Sequence, residues 1–184
     1  MPRPPRIIVA GGLYHVTARG NRRAPIYVDD RDYHRFLSLL AREAARRGWL
    51  CRAYCLMPNH FHLVLEACRP NLSEGMQALL GNYARWFNWR RDLDGHVFAR
   101  RFHAVAVENE RHLLELTRYL ALNPVRAGLS ERADGWRWSS YAATTGTARR
   151  PPWLSPTPLL SAFGSDPRLA RRRFADFVAD GIAV

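Results

Sequence analysis

Residues 56–66 constrain the fold of this chain more than any other stretch, because a turn is followed there by strict alternation of apolar side chains. Pro58-Asn59 is a dipeptide typical of turns. Apolar side chains then recur at every second position, namely at Phe61, Leu63 and Leu65. Since successive side chains of a strand point to opposite faces, His60 and His62 should lie together on the other face. The pattern predicts a β-hairpin whose second strand carries two neighbouring imidazoles.

These two histidines are a candidate metal site. Residues two positions apart on a strand are separated by about 6–7 Å at Cα. Two neutral imidazoles at that separation can bind one metal ion and leave positions for a third ligand, water and substrate. A hydrogen-bonded core or surface residue is the commoner role of a histidine in a strand. The pair alone leaves both interpretations open.

The charge of the chain indicates a polyanionic partner. All 28 basic residues are arginine, and against 16 acidic residues they give a formal net charge of +12. The planar guanidinium binds phosphate through two hydrogen bonds and stacks on bases, which favours nucleic acid. A GC-rich genome would explain arginine in place of lysine, but it would not explain the net charge.

Cysteine usage and hydropathy exclude several classes of protein. Cys51, Cys55 and Cys68 are an odd number without a C-x-x-C pair, which fits neither a disulfide framework nor a zinc ribbon. Residues 1–6 lack the apolar run of a signal peptide, and no window approaches the roughly 18 apolar residues of a membrane helix. We therefore expect a soluble cytoplasmic protein with no membrane partner.

Hydrophobic periodicity predicts an α+β domain with the ferredoxin-like order β-α-β-β-α-β and helices on one face of the sheet. The expected elements are a strand at 11–20, a helix from 29–32 to about 47, a strand at 50–57, the histidine strand, a helix at about 72–91 and a strand within 97–108 with a buried run at 104–107. Asp29, Asp30 and Asp32 are interpreted as a helix cap rather than a carboxylate metal site, because no second acidic cluster faces them in sequence.

A third helix should run from residue 109 or 110 to about 122 and end at Asn123-Pro124. On this helix Tyr119 shares a face with His112, Glu115 and Asn123, since these positions are three or four residues apart. Beyond it, the composition shifts to small residues and proline. We expect residues 1–145 to form one compact domain and residues 146–184 to form a basic, partly helical extension.

Two histidines on a central strand and a tyrosine on a later helix suggest cleavage of a nucleic-acid strand by a tyrosine nucleophile. No cluster of opposed carboxylates in the sequence supports a two-metal mechanism. A phenol, with an ordinary pKa of about 10, needs help to attack phosphorus at neutral pH. A divalent cation bound by the histidine pair would polarise the scissile phosphate and orient the leaving oxygen.

At these residues the sequence resembles a known family, the single-tyrosine HUH transposases, and among them most closely the REP-associated tyrosine transposases. The matching motifs are YCLMPNHFH at 54–62, FARRF at 98–102, RYLALNPVRAG at 118–128 and WSSY at 138–141. Each motif alone is weak, and their conjunction over roughly residues 8–145 is specific.

The resemblance implies a metal-dependent endonuclease and transposase that cuts and rejoins single-stranded DNA at REP-like palindromic hairpins. It implies a 5′-phosphotyrosine intermediate on Tyr119 and a free 3′-OH. It also implies that His60 and His62 bind Mg²⁺ or Mn²⁺ and that Asn123 completes the metal site. The fold of the family agrees with the predicted sheet, and we expect a monomer or a homodimer.

Several residue assignments keep an alternative. Pro124 disfavours helical geometry at the residue before it, so Asn123 is either a metal ligand or the last residue of a helix beside a stop proline. Tyr119 could instead be a core tyrosine, whereas Tyr83 lies on the apolar side of its helix and is expected in the core. The candidates for phosphate contacts, each of which could also be solvated surface, are Arg22, Arg23, Arg100, Arg101 and Arg118.

Two other function classes fit the same residues. One is a non-cleaving DNA- or RNA-binding regulator on the same fold, which nicking of labelled single strands would exclude. The other is a metal-dependent hydrolase that attacks with metal-bound water. A covalent protein–DNA adduct would exclude that hydrolase, because its mechanism does not pass through one.

Overall fold

A computed structural model of the chain describes residues 8–182. Residues 1–7, on which the expectation of no signal peptide depends, and residues 183–184 lie outside the described part. The strands are β1 (Gly12–Arg19), β2 (Trp49–Met57), β3 (His60–Ala67) and β4 (His103–Ala106). The helices are α1 (Asp30–Arg47), α2 (Leu72–Arg91), α3 (Glu110–Arg126), α4 (Tyr141–Thr145), α5 (Thr157–Ser161) and α6 (Pro167–Ala179). The first six elements follow the predicted order β-α-β-β-α-β.

The strands form one antiparallel sheet in the order β2-β3-β1-β4. β2 and β3 are the predicted hairpin, joined through Pro58 and Asn59 and paired so that Cys55 lies opposite His62. β1 pairs along the whole of β3 and places Thr17 opposite His62. The histidine strand is therefore central, and the predicted α+β class with helices packed on a sheet is confirmed.

Helices α1 and α2 cover the face of the sheet that carries the apolar side chains of β3. Phe61 lies in this core against Phe36 of α1, with ring centroids 4.9 Å apart. Tyr83 of α2 is fully buried in the same cluster, and its hydroxyl donates a hydrogen bond to the carbonyl of Ile26. The prediction that Tyr83 is a core residue is confirmed.

Helices α3 and α6 cover the opposite face, on which both histidines lie. Leu116 and Leu120 of α3 join a second buried cluster with Val64 of β3, to which α6 adds Phe174 and Val178. The prediction of helices on one face therefore describes α1 and α2 but not α3. The segment 146–184 is helical at α5 and α6, and through α6 it packs on the helix that carries Tyr119.

The aspartates at the start of α1 act as a helix cap, as predicted. The Asp29 side chain accepts a hydrogen bond from the Arg31 backbone N–H at 3.0 Å. Asp32 accepts from the backbone N–H of Asp29 at 3.2 Å and forms ion pairs with Arg90 and Arg91 at the end of α2. Because Asp32 is fully buried, these pairs compensate for the loss of hydration of its carboxylate.

Strand β4 is shorter and more exposed than the sequence indicated. It contains only four residues and pairs with β1 at the edge of the sheet. Val105 is 42% exposed and Ala106 is also exposed, while Ala104 and Val107 are only partly buried. The predicted buried run at 104–107 is wrong, because an apolar run at the edge of a sheet receives less cover than one at its centre.

Helix α3 continues through Pro124 instead of ending before it. A proline inside a helix removes its own N–H from the hydrogen-bond ladder and crowds the carbonyl four residues earlier, but it leaves the N–H groups after it free to bond. The following turn still closes, since the Ala127 N–H bonds the carbonyl of Asn123 at 3.0 Å and the Leu129 N–H bonds the carbonyl of Pro124 at 2.9 Å. The predicted helix end is therefore wrong, and Asn123 lies inside the helix one turn after Tyr119. Over residues 8–182, no helix is long and apolar enough to cross a membrane.

Candidate active site

The pairing of the strands gathers basic and histidine side chains on one face of the sheet. On β1, Arg19 lies opposite His60 of β3. Thr17 of β1 lies between two partners, His62 of β3 and His103 of β4. Paired residues of an antiparallel sheet share a face. Together they line a groove of about 460 Å³, whose charged and imidazole side chains are Arg19, Arg22, Arg23, His60, His62, Arg100, Arg101 and His103. The structure thus brings four of the five predicted phosphate-binding arginines to the two histidines among the three predicted metal ligands.

The turn that carries Arg22 and Arg23 is fixed beside β3. Both residues have left-handed backbones, with φ of 52° and 62°, a conformation that non-glycine residues adopt only when surrounding contacts impose it. The side-chain amide of Asn59 donates to the carbonyl of Arg23 at 3.0 Å, and the Asn59 carbonyl accepts from the Gly20 N–H at 2.8 Å. At Gly20 a Cβ would stand 2.1 Å from the carbonyl oxygen of Ala24, so only glycine fits.

Arg118 lies apart from the groove arginines. Its guanidinium pairs with the Glu115 carboxylate on the same helix and stands 4.5 Å from the ring centroid of Phe177 on α6. The residue thus helps to attach α6 to α3. A role for Arg118 in phosphate binding remains a prediction from the sequence.

Helix α3 places Tyr119 and Asn123 against His62. The Asn123 Nδ2 lies 3.1 Å from His62 Nε2. The Tyr119 ring meets the His62 ring edge-on, with centroids 5.6 Å apart, and the tyrosine is 42% exposed. The structure therefore brings together the predicted nucleophile and the predicted metal ligands, all supplied by one chain.

The two histidines of β3 have different neighbours at Nδ1. His60 Nδ1 lies 2.7 Å from Asn59 Oδ1. His62 Nδ1 lies 2.9 Å from Nε2 of His15, and the two rings are nearly coplanar and edge to edge, with an interplanar angle of 15° and centroids 5.1 Å apart. The rings of His60 and His62 are 5.0 Å apart and nearly perpendicular.

His15, Arg19 and His103 belong to the groove or the site, although the sequence did not identify them. Their signal was present, because His15, Thr17 and Arg19 alternate along the predicted first strand and so share one of its faces. The strand register that places this face beside the histidines could not be obtained from one sequence.

Burial lowers the pKa of all three clustered histidines. The pKa of His60 falls to about 4, first through burial and then through the nearby charge of Arg19. That of His62 falls to about 3, through burial and then through repulsion from His15, His60 and Arg19. The pKa of His15 also falls to about 4, mainly through burial. At neutral pH these imidazoles are therefore uncharged, which is the form that binds metal ions.

The donor set fits a divalent cation with open coordination positions. Among residues 8–182 no group of three or more His, Cys, Asp or Glu side chains could hold a metal ion. The remaining donors are His60, His62 and the Asn123 amide, which adds an oxygen after rotation. Imidazole nitrogen and amide oxygen together suit Mn²⁺, whereas Mg²⁺ would keep several waters. Either cation would retain positions for phosphate oxygens.

The chain is similar to known transposases in sequence and in fold. Residues 9–123 match the family described as IS200-like transposase, a span that runs from β1 to Asn123. A Haemophilus influenzae protein assigned as a REP-associated tyrosine transposase is 24% identical over 147 residues, which are 74% of this chain and 83% of that protein. A solved REP-associated tyrosine transposase bound to a REP hairpin has a TM-score of 0.63 at 18% identity, covering 84% of this chain and 92% of that chain.

Proposed function

The chain belongs to the IS200-like transposase family, and from that membership we propose a metal-dependent endonuclease and transposase that cuts and rejoins single-stranded DNA. One observation carries the proposal. A single chain presents a solvent-accessible phenol, two uncharged imidazoles, an amide and five groove arginines on one side of its sheet. This set can bind a phosphate backbone, hold a divalent cation and attack phosphorus.

The proposed substrate is single-stranded DNA that folds into hairpins. The solved relative is bound to a REP hairpin. In this chain, the groove beside the histidines is lined by Arg19, Arg22, Arg23, Arg100 and Arg101. Arginines in a groove contact the phosphate backbone and position it without reading its sequence. They would hold the scissile phosphate between the histidines and Tyr119.

In the proposed reaction the Tyr119 hydroxyl oxygen attacks the scissile phosphorus and gives its proton to water. The bond from phosphorus to the 3′ oxygen breaks, and that oxygen takes a proton to become a free 3′-OH. The 5′ end of the DNA remains on Tyr119 as a phosphotyrosine. Attack by a 3′-OH on the phosphotyrosine reverses these steps and rejoins a strand without an external energy source.

His60, His62 and Asn123 would hold the cation, Mg²⁺ or Mn²⁺. When bound, the cation would polarise the phosphate and stabilise the charge that develops on the leaving oxygen. Each of the three side chains is an uncharged donor at neutral pH, so the cation would keep its full positive charge. The exposed Tyr119 lies edge-on to His62 and could reach a phosphate bound beside that histidine.

The proposal is tested by incubating the protein with Mg²⁺ and a pool of labelled single-stranded hairpins. We expect a protein–DNA adduct that survives denaturation, with little or none from a duplex of the same sequence. Cleavage without an adduct would instead indicate attack by metal-bound water. Binding without cleavage in either Mg²⁺ or Mn²⁺ would indicate a non-cleaving nucleic-acid-binding protein.

A further inference from the structure

The side chain of Asn59 fixes which nitrogen of His60 carries the proton. Asn59 Nδ2 donates to the carbonyl of Arg23, so its Oδ1 must be the atom that faces His60 Nδ1 at 2.7 Å. Rotating the amide would set two oxygens against each other at the Arg23 carbonyl. An amide oxygen only accepts hydrogen bonds, and therefore an uncharged His60 carries its proton on Nδ1 and its lone pair on Nε2.

His15 is the hydrogen-bond partner of His62 Nδ1, just as Asn59 is the partner of His60 Nδ1. His15 Nε2 lies 2.9 Å from His62 Nδ1, and one of these nitrogens must donate to the other. If His62 donates, its Nε2 keeps a lone pair and accepts the Asn123 amide at 3.1 Å. If His15 donates, His62 Nε2 carries a hydrogen and cannot bind a cation. The protonation pattern of His15 thus decides whether His62 can be a ligand.

We propose that Asn59 and His15 are positioning residues that hold His60 and His62 in the Nδ1–H tautomer, so that each histidine keeps its Nε2 lone pair for a divalent cation. The inference rests on the proposed function, which gives the bound cation its role in cleavage. The tautomers themselves are a property of the protein alone. Hydrogen bonds to the second nitrogen of a metal-binding histidine fix its tautomer and ring orientation, and their removal lowers metal affinity about 10- to 100-fold.

Histidine ¹⁵N–¹H correlation spectra of the metal-free protein at neutral pH report each tautomer directly. We expect both His60 and His62 in the Nδ1–H form, assigned by the signals that vanish in His60→Ala and His62→Ala. Either histidine in the Nε2–H form in the wild-type protein would overturn the proposal. The tautomers are read in the wild-type protein, and the two variants serve only to assign its signals.

Variants then test each positioning residue separately. His15→Phe keeps an aromatic ring beside His62 but removes the nitrogens, and it should mix the His62 tautomers while leaving the His60 signals unchanged. His15→Gln offers an oxygen at a similar reach and should restore the Nδ1–H form. Asn59→Ala should mix the tautomers of His60 and leave those of His62 unchanged, while it also removes the hydrogen bond to the Arg23 carbonyl. His96→Phe, at an exposed position, is the control.

Binding of Mn²⁺ without DNA gives a second readout. It is measured as the loss of the EPR signal of the free ion. We expect the affinity to fall about 10- to 100-fold in His15→Phe and Asn59→Ala and to recover in His15→Gln. Unchanged tautomers and unchanged Mn²⁺ affinity in folded His15→Phe would refute the role of His15. If the tautomers respond as expected but no hairpin yields an adduct, the proposed function fails and the positioning role stands.

Discussion

The ring of Tyr119 lies edge-on to the ring of His62, with centroids 5.6 Å apart and an interplanar angle of 86°. One residue comes from α3 and the other from β3, and both belong to the same chain. Tyr119 is also 42% exposed, whereas Tyr83, the tyrosine of α2, has no exposed surface. A nucleophile must be both accessible and near the groups that activate its target, and Tyr119 meets both requirements.

Replacing these two tyrosines by phenylalanine separates their roles. Tyr119→Phe should fold and bind hairpin DNA but form no adduct, because the attacking oxygen is gone. Tyr83→Phe should still form the adduct, since burial raises the pKa of the Tyr83 phenol and its hydroxyl only bonds the Ile26 carbonyl. Tyr83→Phe should lower the free energy of unfolding by about 1–3 kcal/mol. Mass spectrometry locates the nucleotide, and an adduct on Tyr83 would contradict the assignment.

Removing the cation or either ligand histidine should abolish cleavage while leaving most of the DNA affinity. His60→Ala, His62→Ala and EDTA should all have this effect, because the cation acts on the chemical step and the arginines supply the affinity. His96→Ala, on the exposed surface, is the matched control and should cleave normally. Wild-type rates for His60→Ala or His62→Ala in Mg²⁺ would show that the metal site lies elsewhere.

Binding to hairpin DNA should weaken steeply with salt, and the groove arginines should determine the slope. Each phosphate contact on a single strand contributes about 0.7 to the slope of log K against log salt. Replacing Arg100 and Arg101 by alanine should lower that slope by about 1.4. The matched control replaces Arg171 and Arg172, which are exposed on α6 and do not line the groove. Equal slopes for the two double variants would exclude a specific role for the groove.

The buried histidines should make the metal-free protein sensitive to acid. The pKa values of His15, His60 and His62 fall to about 4, 4 and 3, below the ordinary value of 6.5. The unfolded chain therefore binds more protons than the folded one between about pH 3 and 6.5, and the free energy of unfolding falls as pH drops through this window. Above about pH 7 this effect is absent, because both states are uncharged.

Urea unfolding at several pH values in EDTA measures that sensitivity. His62→Phe should lose less stability between pH 6.5 and 4 than the wild-type protein, since one protonation site has been removed. The comparison variant is His96→Ala, which removes an exposed histidine outside the cluster. A His62→Phe protein with unchanged pH dependence would show that His62 remains protonated in the folded state.

The cap at the start of α1 should depend on one buried carboxylate. Asp32→Ala removes a fully buried group that pairs with Arg90 and Arg91, and it should cost about 3 kcal/mol in urea unfolding. Asp30→Ala breaks an exposed pair with Arg137 and should cost less than about 1 kcal/mol. Similar losses for the two variants would contradict a dominant role for the buried network.

Local patterns in the sequence specify most of the helices and strands and the faces on which their side chains lie. Alternation in β3 identified the hairpin and put His60 and His62 on one side, and helical spacing separated the core residue Tyr83 from Tyr119. The aspartates before α1 were recognised as a cap from their position alone. These features follow from local sterics and periodicity, which a short window of sequence contains.

Which side chains contact one another depends on how the helices and strands pack. The register of β1 on β3 brings His15 to His62 and Arg19 to His60, and a shift of one residue would have moved both to the other face. The edge position of β4 exposed a run that looked buried, and packing of α3 through Pro124 carried Asn123 to His62. Register, edges and helix continuation depend on contacts between residues distant in sequence, so no local pattern specifies them.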